Sequence, residues 1–352
     1  MLKNKYVQTI IKQIIVWQLA FAFWTVMREF GQEVSNGFEQ LDLMQRLRFQ
    51  LAFGIIAGIL FGSLEYFGER RFLKKMPFGQ LVLLGSLMYL ITVMIFLLVG
   101  MRIFTNLLGL ELNWEIYSDY VLSKQGALFI FYCFLVGFFI DFFKEVDKKF
   151  GPGNLAKMLK GEFYNPKEDE RIFMFLDLKS STAIAEQLGH LEYSQFLQDC
   201  FYDLEVVHDY RAEVYQYVGD EAVLTWTKEV GLENSNCLRA FFAFLDRLRS
   251  KADYYKEKYG VIPEFKAGLN VGKITVAEVG EIKREIAYHG DTINTAARIQ
   301  EKCNEFGKKV LISEALAENL KSASDFQHDR VGDVVLKGKL RAVNIYSVEK
   351  RG

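Results

Sequence analysis

From Phe78 to Gly100 this chain carries no charged residue. A helix crossing a bilayer core needs about 20 such residues. In lipid, a backbone of that length must satisfy its own polar groups, so it folds as a helix. Three more apolar segments share the first part of the chain, and the expected spans are 7–27, 51–67, 78–104 and 125–143. Lys12 and Gln13 interrupt the first, where Lys12 is placed to snorkel toward the headgroups, and Glu65 lies near the end of the second. Four such segments in a row are hard to bury inside a water-soluble domain. All the prolines (Pro77, Pro152, Pro166 and Pro263) fall outside them, as helix breakers should. Residues 1–143 therefore read as an all-α transmembrane domain of four helices.

Basic residues orient it. Loop 68–77 holds Arg70, Arg71, Lys74 and Lys75. Lys3 and Lys5 precede the first segment, and Lys144, Lys148 and Lys149 follow the fourth, whereas the third loop has only Arg102 and Lys124 at its edges. The excess of Lys and Arg on the cytoplasmic side puts both termini in the cytoplasm of a multi-pass inner-membrane protein. Glu65 and Asp141 then read as interfacial charges. Residues 144–170 read as a connector. Lys144 to Phe150 extends the fourth helix, Gly151-Pro152-Gly153 ends it, Asn154 caps a short helix through Leu159, and 161–170 is a polar loop.

The cytoplasmic remainder, 171–352, is charged where the first part is apolar, so a net charge of −1 conceals an asymmetry. That balance leaves no basic footprint for nucleic acid. Cys133, Cys200, Cys237 and Cys303 show no paired spacing, and His190, His208, His289 and His328 are scattered. Free thiols are expected, with no disulfide framework and no zinc site.

Two carboxylates organise this region. Arg171-Ile-Phe-Met-Phe-Leu-Asp177 and Tyr215-Gln-Tyr-Val-Gly219-Asp220 each end an apolar run in an Asp, and such runs read as buried strands. Either Asp alone is ordinarily a turn or helix-cap residue. As a pair they repel, and a divalent cation resolves the repulsion. Oxygen ligands suit Mg²⁺ or Mn²⁺, which also bind phosphates. After Asp177, Lys179-Ser180-Ser181-Thr182 leads into a helical pattern, and a helix N-terminus offers free N–H groups to phosphate. Chain resumes as strand directly after Asp220, so Gly219-Asp220 reads as a hairpin turn.

Strand and helix alternate around these points. The pattern predicts helix over 181–210 with a break near Gly189, strands at 213–219 and 222–226, and one long amphipathic helix over 232–259. Strands at 265–271 and 274–279 flank Gly272; a helix over 291–303, a strand at 309–312, a helix over 313–320 and closing strands at 334–336 and 344–348 follow. The fold class is α+β with an antiparallel-rich sheet.

Phe175-Leu-Asp177-Leu-Lys-Ser-Ser-Thr182 resembles the first metal motif of the class III adenylate and guanylate cyclase catalytic domain, and Tyr217-Val-Gly-Asp220-Glu221 resembles its second. A third motif, Ile286-Ala-Tyr-His-Gly-Asp-Thr-Ile-Asn294-Thr-Ala-Ala-Arg298, puts Asn294 and Arg298 four apart on one helix face. An amide and a guanidinium there suit a ribose and a charged phosphoryl oxygen, and the two match the family's transition-state pair.

The resemblance implies a ferredoxin-like core, a head-to-tail homodimer with sites at the interface, and two Mg²⁺ or Mn²⁺ ions per site on Asp177, Asp220 and the Leu178 carbonyl. It implies phosphate contacts from Lys179, Ser180, Ser181, Thr182 and Lys337. Lys266 stands where the family often has a phosphate-binding Arg, without that residue's bidentate fork. The base readers depart from the family. Gln216 replaces the usual Lys or Glu, and Ala287 the usual Asp, Thr or Cys. Gln216 both donates and accepts, and Tyr288 or His289 is left to replace what Ala287 lacks. The expected protein is a membrane-bound cyclase making cyclic AMP from ATP. The alternatives are a guanylate or dual-specificity cyclase, or a receptor whose cyclase-like domain binds nucleotide without turnover.

Overall fold

The computed structural model describes residues 2–29, 43–71, 76–95, 97, 118, 121–151, 153–320, 325–335 and 342–351. The chain divides into two units, Met1–Lys149 and Phe150–Gly352.

The first unit is helical. Its helices are α1 (Leu2–Glu29), α2 (Leu43–Arg71), α3 (Phe78–Ile95) and α4 (Lys124–Phe150). Each is long and apolar enough to cross a membrane. Except α3, they overrun the expected apolar spans, because a helix continues into polar flanks until something breaks it. The end of the third expected span, 98–104, lies outside the described residues. Leu19, Phe23, Ile91, Ile95, Leu128 and Phe131 point outward, an apolar exterior that suits lipid. Inside, Trp17 stacks on Phe61 with ring centroids 4.4 Å apart, and Tyr89 closes the cluster.

Two features of this unit escaped the hydropathy pattern. Gly54, Gly58 and Gly62 form a stripe on α2 that lets α1 approach; a Cβ on Gly58 would lie 2.5 Å from the Ile14 Cα. Small residues at this spacing let helix backbones meet in lipid. Gly58→Leu is therefore expected to part α1 from α2 at a cost of about 1–3 kcal/mol or more. A wild-type thermal melt of the variant in detergent, followed by far-UV circular dichroism, would refute this. The second feature is how Glu65 and Asp141, read from the sequence as interfacial charges, find neighbours across the bundle. Glu65 is half-buried, accepting from Gln13 Nε2 at 2.6 Å and pairing with Lys144 at 3.0 Å. Gln13 also donates to the Tyr89 hydroxyl and accepts from Trp17 Nε1. Asp141 is buried against Gly85, which has no side chain to collide with it. Hydropathy averages over a window, so it cannot see single polar groups finding partners across a bundle.

The second unit begins with a short helix, α5 (Asn154–Leu159). Gly153, not Asn154, holds its cap position; the Asn154 amide instead donates to the Phe150 carbonyl at 3.0 Å and so closes the end of α4. The expected loop at 161–170 shortens, because β1 (Lys167–Leu178) starts early against β4 (Phe265–Val279). The other strands are β2 (Glu213–Val218), β3 (Glu221–Thr227), β5 (Glu285–His289), β6 (Val310–Ser313), β7 (Phe326–Val335) and β8 (Ala342–Lys350). They form one mixed sheet in the order β2-β3-β1-β4-β6-β8-β7, with β5 also paired to β4. Only the β4–β6 pairing is parallel among the described pairs. This is the α+β architecture expected.

Helices cover the sheet: α6 (Ser181–Asp203), α7 (Lys228–Leu232), α8 (Asn236–Ser250), α9 (Ala252–Tyr259), α10 (Asp291–Glu301) and α11 (Glu314–Asn319). Gly189 kinks α6 at φ 73°, where a break was expected. The single long helix predicted over 232–259 is in fact several pieces, because Ser235 and Lys251 leave helical geometry. β4 runs unbroken through Gly272, where two strands were expected: β1 pairs along almost its whole length and holds it straight. Gly272 instead makes room for Thr292 of α10. The four cysteines are free and buried.

Candidate active site

The site is built at the end of β1. Register sets Asp177 between Glu221 on β3 and Lys266 on β4. Lys266 Nζ forms an ion pair with Asp177 Oδ2 at 3.0 Å, and Gln300 Nε2 of α10 donates to the same oxygen at 2.8 Å. Gly219, in the left-handed region at φ 61°, makes the two-residue turn that sets Asp220 beside this edge. Burial holds the Asp177 carboxyl above the usual carboxylate range; Lys266 and Gln300 oppose the shift, and Asp220 adds to it. Glu221 is pushed up to about 7, first by burial and then by Asp177, Asp220 and Glu301. So many acids in one place, with Lys266 as the cation in contact with Asp177, lack positive charge.

That deficit is the test for a metal. Among the described residues, no group of three or more His, Cys, Asp or Glu side chains is placed to hold a metal ion by itself. Asp177, Asp220 and the Leu178 carbonyl offer only hard oxygen donors, and too few to enclose an ion, a donor chemistry that would fit Mg²⁺ or Mn²⁺, which retain water and substrate phosphate. Zinc prefers nitrogen and sulfur, and this set offers neither.

Next to the acids lies a helix start. Ser180 takes a left-handed conformation, φ 59°, and Ser181 and Thr182 open α6. The first N–H groups of a helix have no intrahelical partner and suit an anion. Lys179 departs from expectation. Its backbone N–H is spent on the Glu264 carbonyl at 2.8 Å, and its side chain pairs with the Glu264 carboxylate at 3.2 Å. The pairing of β1 and β4 runs to Leu178 and holds Lys179 in line with it. Tyr193, absent from the expected set, lies near Ser181; burial and then Asp220 raise its phenol above the ordinary range. α6 is pinned from behind by Asp199, which accepts from the Tyr254 and Tyr259 hydroxyls and Lys258.

Asn294 and Arg298 share the more exposed face of α10, away from the buried Thr295, Ala296, Ile299 and Gln300. The Arg298 guanidinium donates to both oxygens of Glu301, at 2.8 and 3.0 Å. Gln216 is exposed on β2 beside a bulge, and Ala287 on β5 pairs with Ala277 on β4. Their neighbours Tyr215 and Tyr288 touch, with ring centroids 4.8 Å apart, so both base positions belong to one region of the sheet. Tyr288 is buried. Its ring lies among Phe173, Tyr215 and the Arg171 guanidinium, which is itself tied to Glu213 and Thr225. His289 is exposed at the end of β5. Lys337 lies outside the described residues. Gln300 and Glu221 were also missed. Helical periodicity marks Gln300 only as an inward position, and Glu221, the last residue of the second motif, was given no role there.

A family model described as the adenylate and guanylate cyclase catalytic domain matches residues 163–350. The chain belongs to this family. It is 32% identical over 210 residues to "Adenylate cyclase 2" of Rhizobium meliloti (strain 1021), covering 59% of this chain and 58% of that protein. It is 25% identical over 185 residues to "Adenylate cyclase" of Anabaena cylindrica, covering 50% of this chain and 36% of that protein. This cyclase-family chain thus spans little over half the length of the first relative and less of the second. Among solved structures, a bacterial light-regulated adenylyl cyclase superposes with a TM-score of 0.54 at 15% identity, covering 65% of this chain and 67% of that one, a likeness of fold.

Proposed function

We propose that this chain is a membrane-bound nucleotide cyclase that converts ATP to 3′,5′-cyclic AMP and pyrophosphate at the interface of a homodimer. One observation carries the reading: acids in need of cations, Asp177, Asp220 and Glu221, crowd beside a helix start in need of an anion. Asp177, Asp220 and the Leu178 carbonyl would hold two Mg²⁺ or Mn²⁺ ions. When bound, such ions neutralise phosphate charge and lower the pKa of the ribose 3′-hydroxyl.

The remaining work belongs to the chain. The N–H groups at Ser180, Ser181 and Thr182, with Lys337, hold the β- and γ-phosphates. Lys266 exchanges Asp177 for a phosphate oxygen. Asn294 fixes the ribose, and Arg298 donates to the α-phosphate oxygens as charge builds there. The 3′-oxygen bonds to the α-phosphorus and its proton passes to solvent. The bond from that phosphorus to the bridging oxygen breaks, and pyrophosphate leaves with the electron pair. Asn294 and Arg298 lie on the face of α10 turned from Gln300, which holds Asp177 of the same chain, and this supports their service to a second subunit's site. Each chain carries both halves, so two copies make two equivalent sites.

The names of the relatives favour ATP, and Gln216 is the residue of this chain suited to read the base. The apolar helices and the cytoplasmic bias of Lys and Arg support a multi-pass inner-membrane protein with the catalytic domain and both termini in the cytoplasm. The test is turnover by full-length protein in detergent with ATP or GTP and Mn²⁺, scoring both cyclic products. Cyclic AMP from ATP alone is expected. Cyclic GMP from GTP would transfer the base assignment, and nucleotide binding without either product would favour a non-catalytic receptor.

A further inference from the structure

Gln300 is a neutral, nearly fully buried side chain, 5% exposed, whose amide nitrogen points at the one oxygen, Asp177 Oδ2, that also takes Lys266. Its place is enforced from both sides. Gly268 on β4 has no side chain, and a Cβ there would collide with the Gln300 backbone nitrogen and lie 2.5 Å from its Cα. On α10, Ala296 and Ile299 pack fully buried on the sheet. The helix therefore cannot slide without moving the amide.

A carboxylate oxygen accepts from more than one donor, but an open cation must approach it along a lone pair that no donor blocks. A donor fixed at 2.8 Å sets the plane of the Asp177 carboxyl and leaves Oδ1 turned the other way. Lys266, a cation on a flexible stem, is free to leave when positive charge arrives. The amide of Gln300 carries no charge to compete with a cation and remains. We propose that Gln300 is a positioning residue that orients the Asp177 carboxylate for divalent cation binding. It couples that orientation to α10, the helix that carries Asn294 and Arg298. This rests on the reading of Asp177 as a metal ligand.

The test uses full-length protein in detergent without nucleotide, with Mn²⁺ as the probe. Bound ion is read from loss of the free Mn²⁺ electron paramagnetic resonance signal. Gln300→Met keeps length and helix preference and removes the amide, and with it the donor to Asp177. Outer partners of this kind are worth about 10–100-fold in metal affinity. Mn²⁺ binding by Gln300→Met is expected to weaken at least about 10-fold, with an unchanged thermal melt. Half-activating Mn²⁺ should rise by the same factor, while kcat at saturating Mn²⁺ recovers. Should Gln300→Met melt early, Gln300→Asn, which withdraws the same amide by one methylene, takes its place with the same expected readings. Wild-type Mn²⁺ affinity in whichever variant is folded would overturn the proposal. Asp177→Asn separates the two levels. If it loses Mn²⁺ while folded Gln300→Met does not, only the role of Gln300 falls. If Asp177→Asn binds Mn²⁺ like wild type, the metal reading falls and the proposal with it.

Discussion

Asp177→Asn is expected to lower cyclic nucleotide formation by at least about 10³-fold while the protein stays folded. The substitution keeps size and keeps an oxygen to accept from Gln300, so the hydrogen bond at 2.8 Å has a neutral counterpart. What it removes is the charge. In the unliganded protein that charge is a burden, since burial and Asp220 hold the carboxyl above its usual range. Its removal leaves Lys266 without its ion-pair partner, but Glu221 lies on the strand beyond. The thermal melt should therefore move by only a few degrees, because one kcal/mol corresponds to about 2–4 °C in a domain of this size. Turnover loses far more, since preorganised charge at a phosphoryl centre supplies much of the barrier reduction. Product formation within tenfold of wild type at saturating Mn²⁺ would remove Asp177 from the metal site.

Gly268→Ala is expected to damage fold and activity together. One methyl group is added, but it meets backbone: the Gln300 nitrogen, the Gln300 Cα at 2.5 Å and the Ala296 carbonyl oxygen at 2.7 Å. Backbone atoms cannot rotate aside as a side-chain end does, so α10 must lift from β4. Overpacking of this kind costs about 1–3 kcal/mol. The same lift draws Gln300 from Asp177 and shifts Asn294 and Arg298. Misplacement by about 1 Å costs about 10²-fold in rate. Thermal melting and turnover of the purified variant check both effects. A wild-type melt with wild-type turnover would mean that α10 does not rest on the strand at this point.

Much of this protein was legible in order along the chain. The apolar spans, the hairpin at Gly219-Asp220, the kink at Gly189 and the amphipathic α10 follow from periodicity and from residues with narrow backbone preferences, which are local properties. The errors were local rules overruled by partners far away. β4 reads as two strands because Gly272 looks like a breaker, and it is one strand because β1 pairs along it. The phosphate loop reads as four free amides, and one is spent on Glu264, 85 positions away. Glu65 carries no local sign of its partners, which are Gln13 and Lys144 from distant parts of the chain.

By itself the sequence determined the kinds of element, the membrane-spanning length of the first helices and the presence of paired acids with a phosphate-suited helix start. Each depends on residues within a turn or two of one another. Only the tertiary structure decided which cation stands on Asp177, that Gln300 grips the same oxygen, that Tyr288 is core and that three glycines bring α1 onto α2. Those depend on strand register and on the distance between packed backbones. Register is set jointly by every pair along two strands, and packing distance by which backbone faces each glycine, so the partner in each case is not written beside the residue.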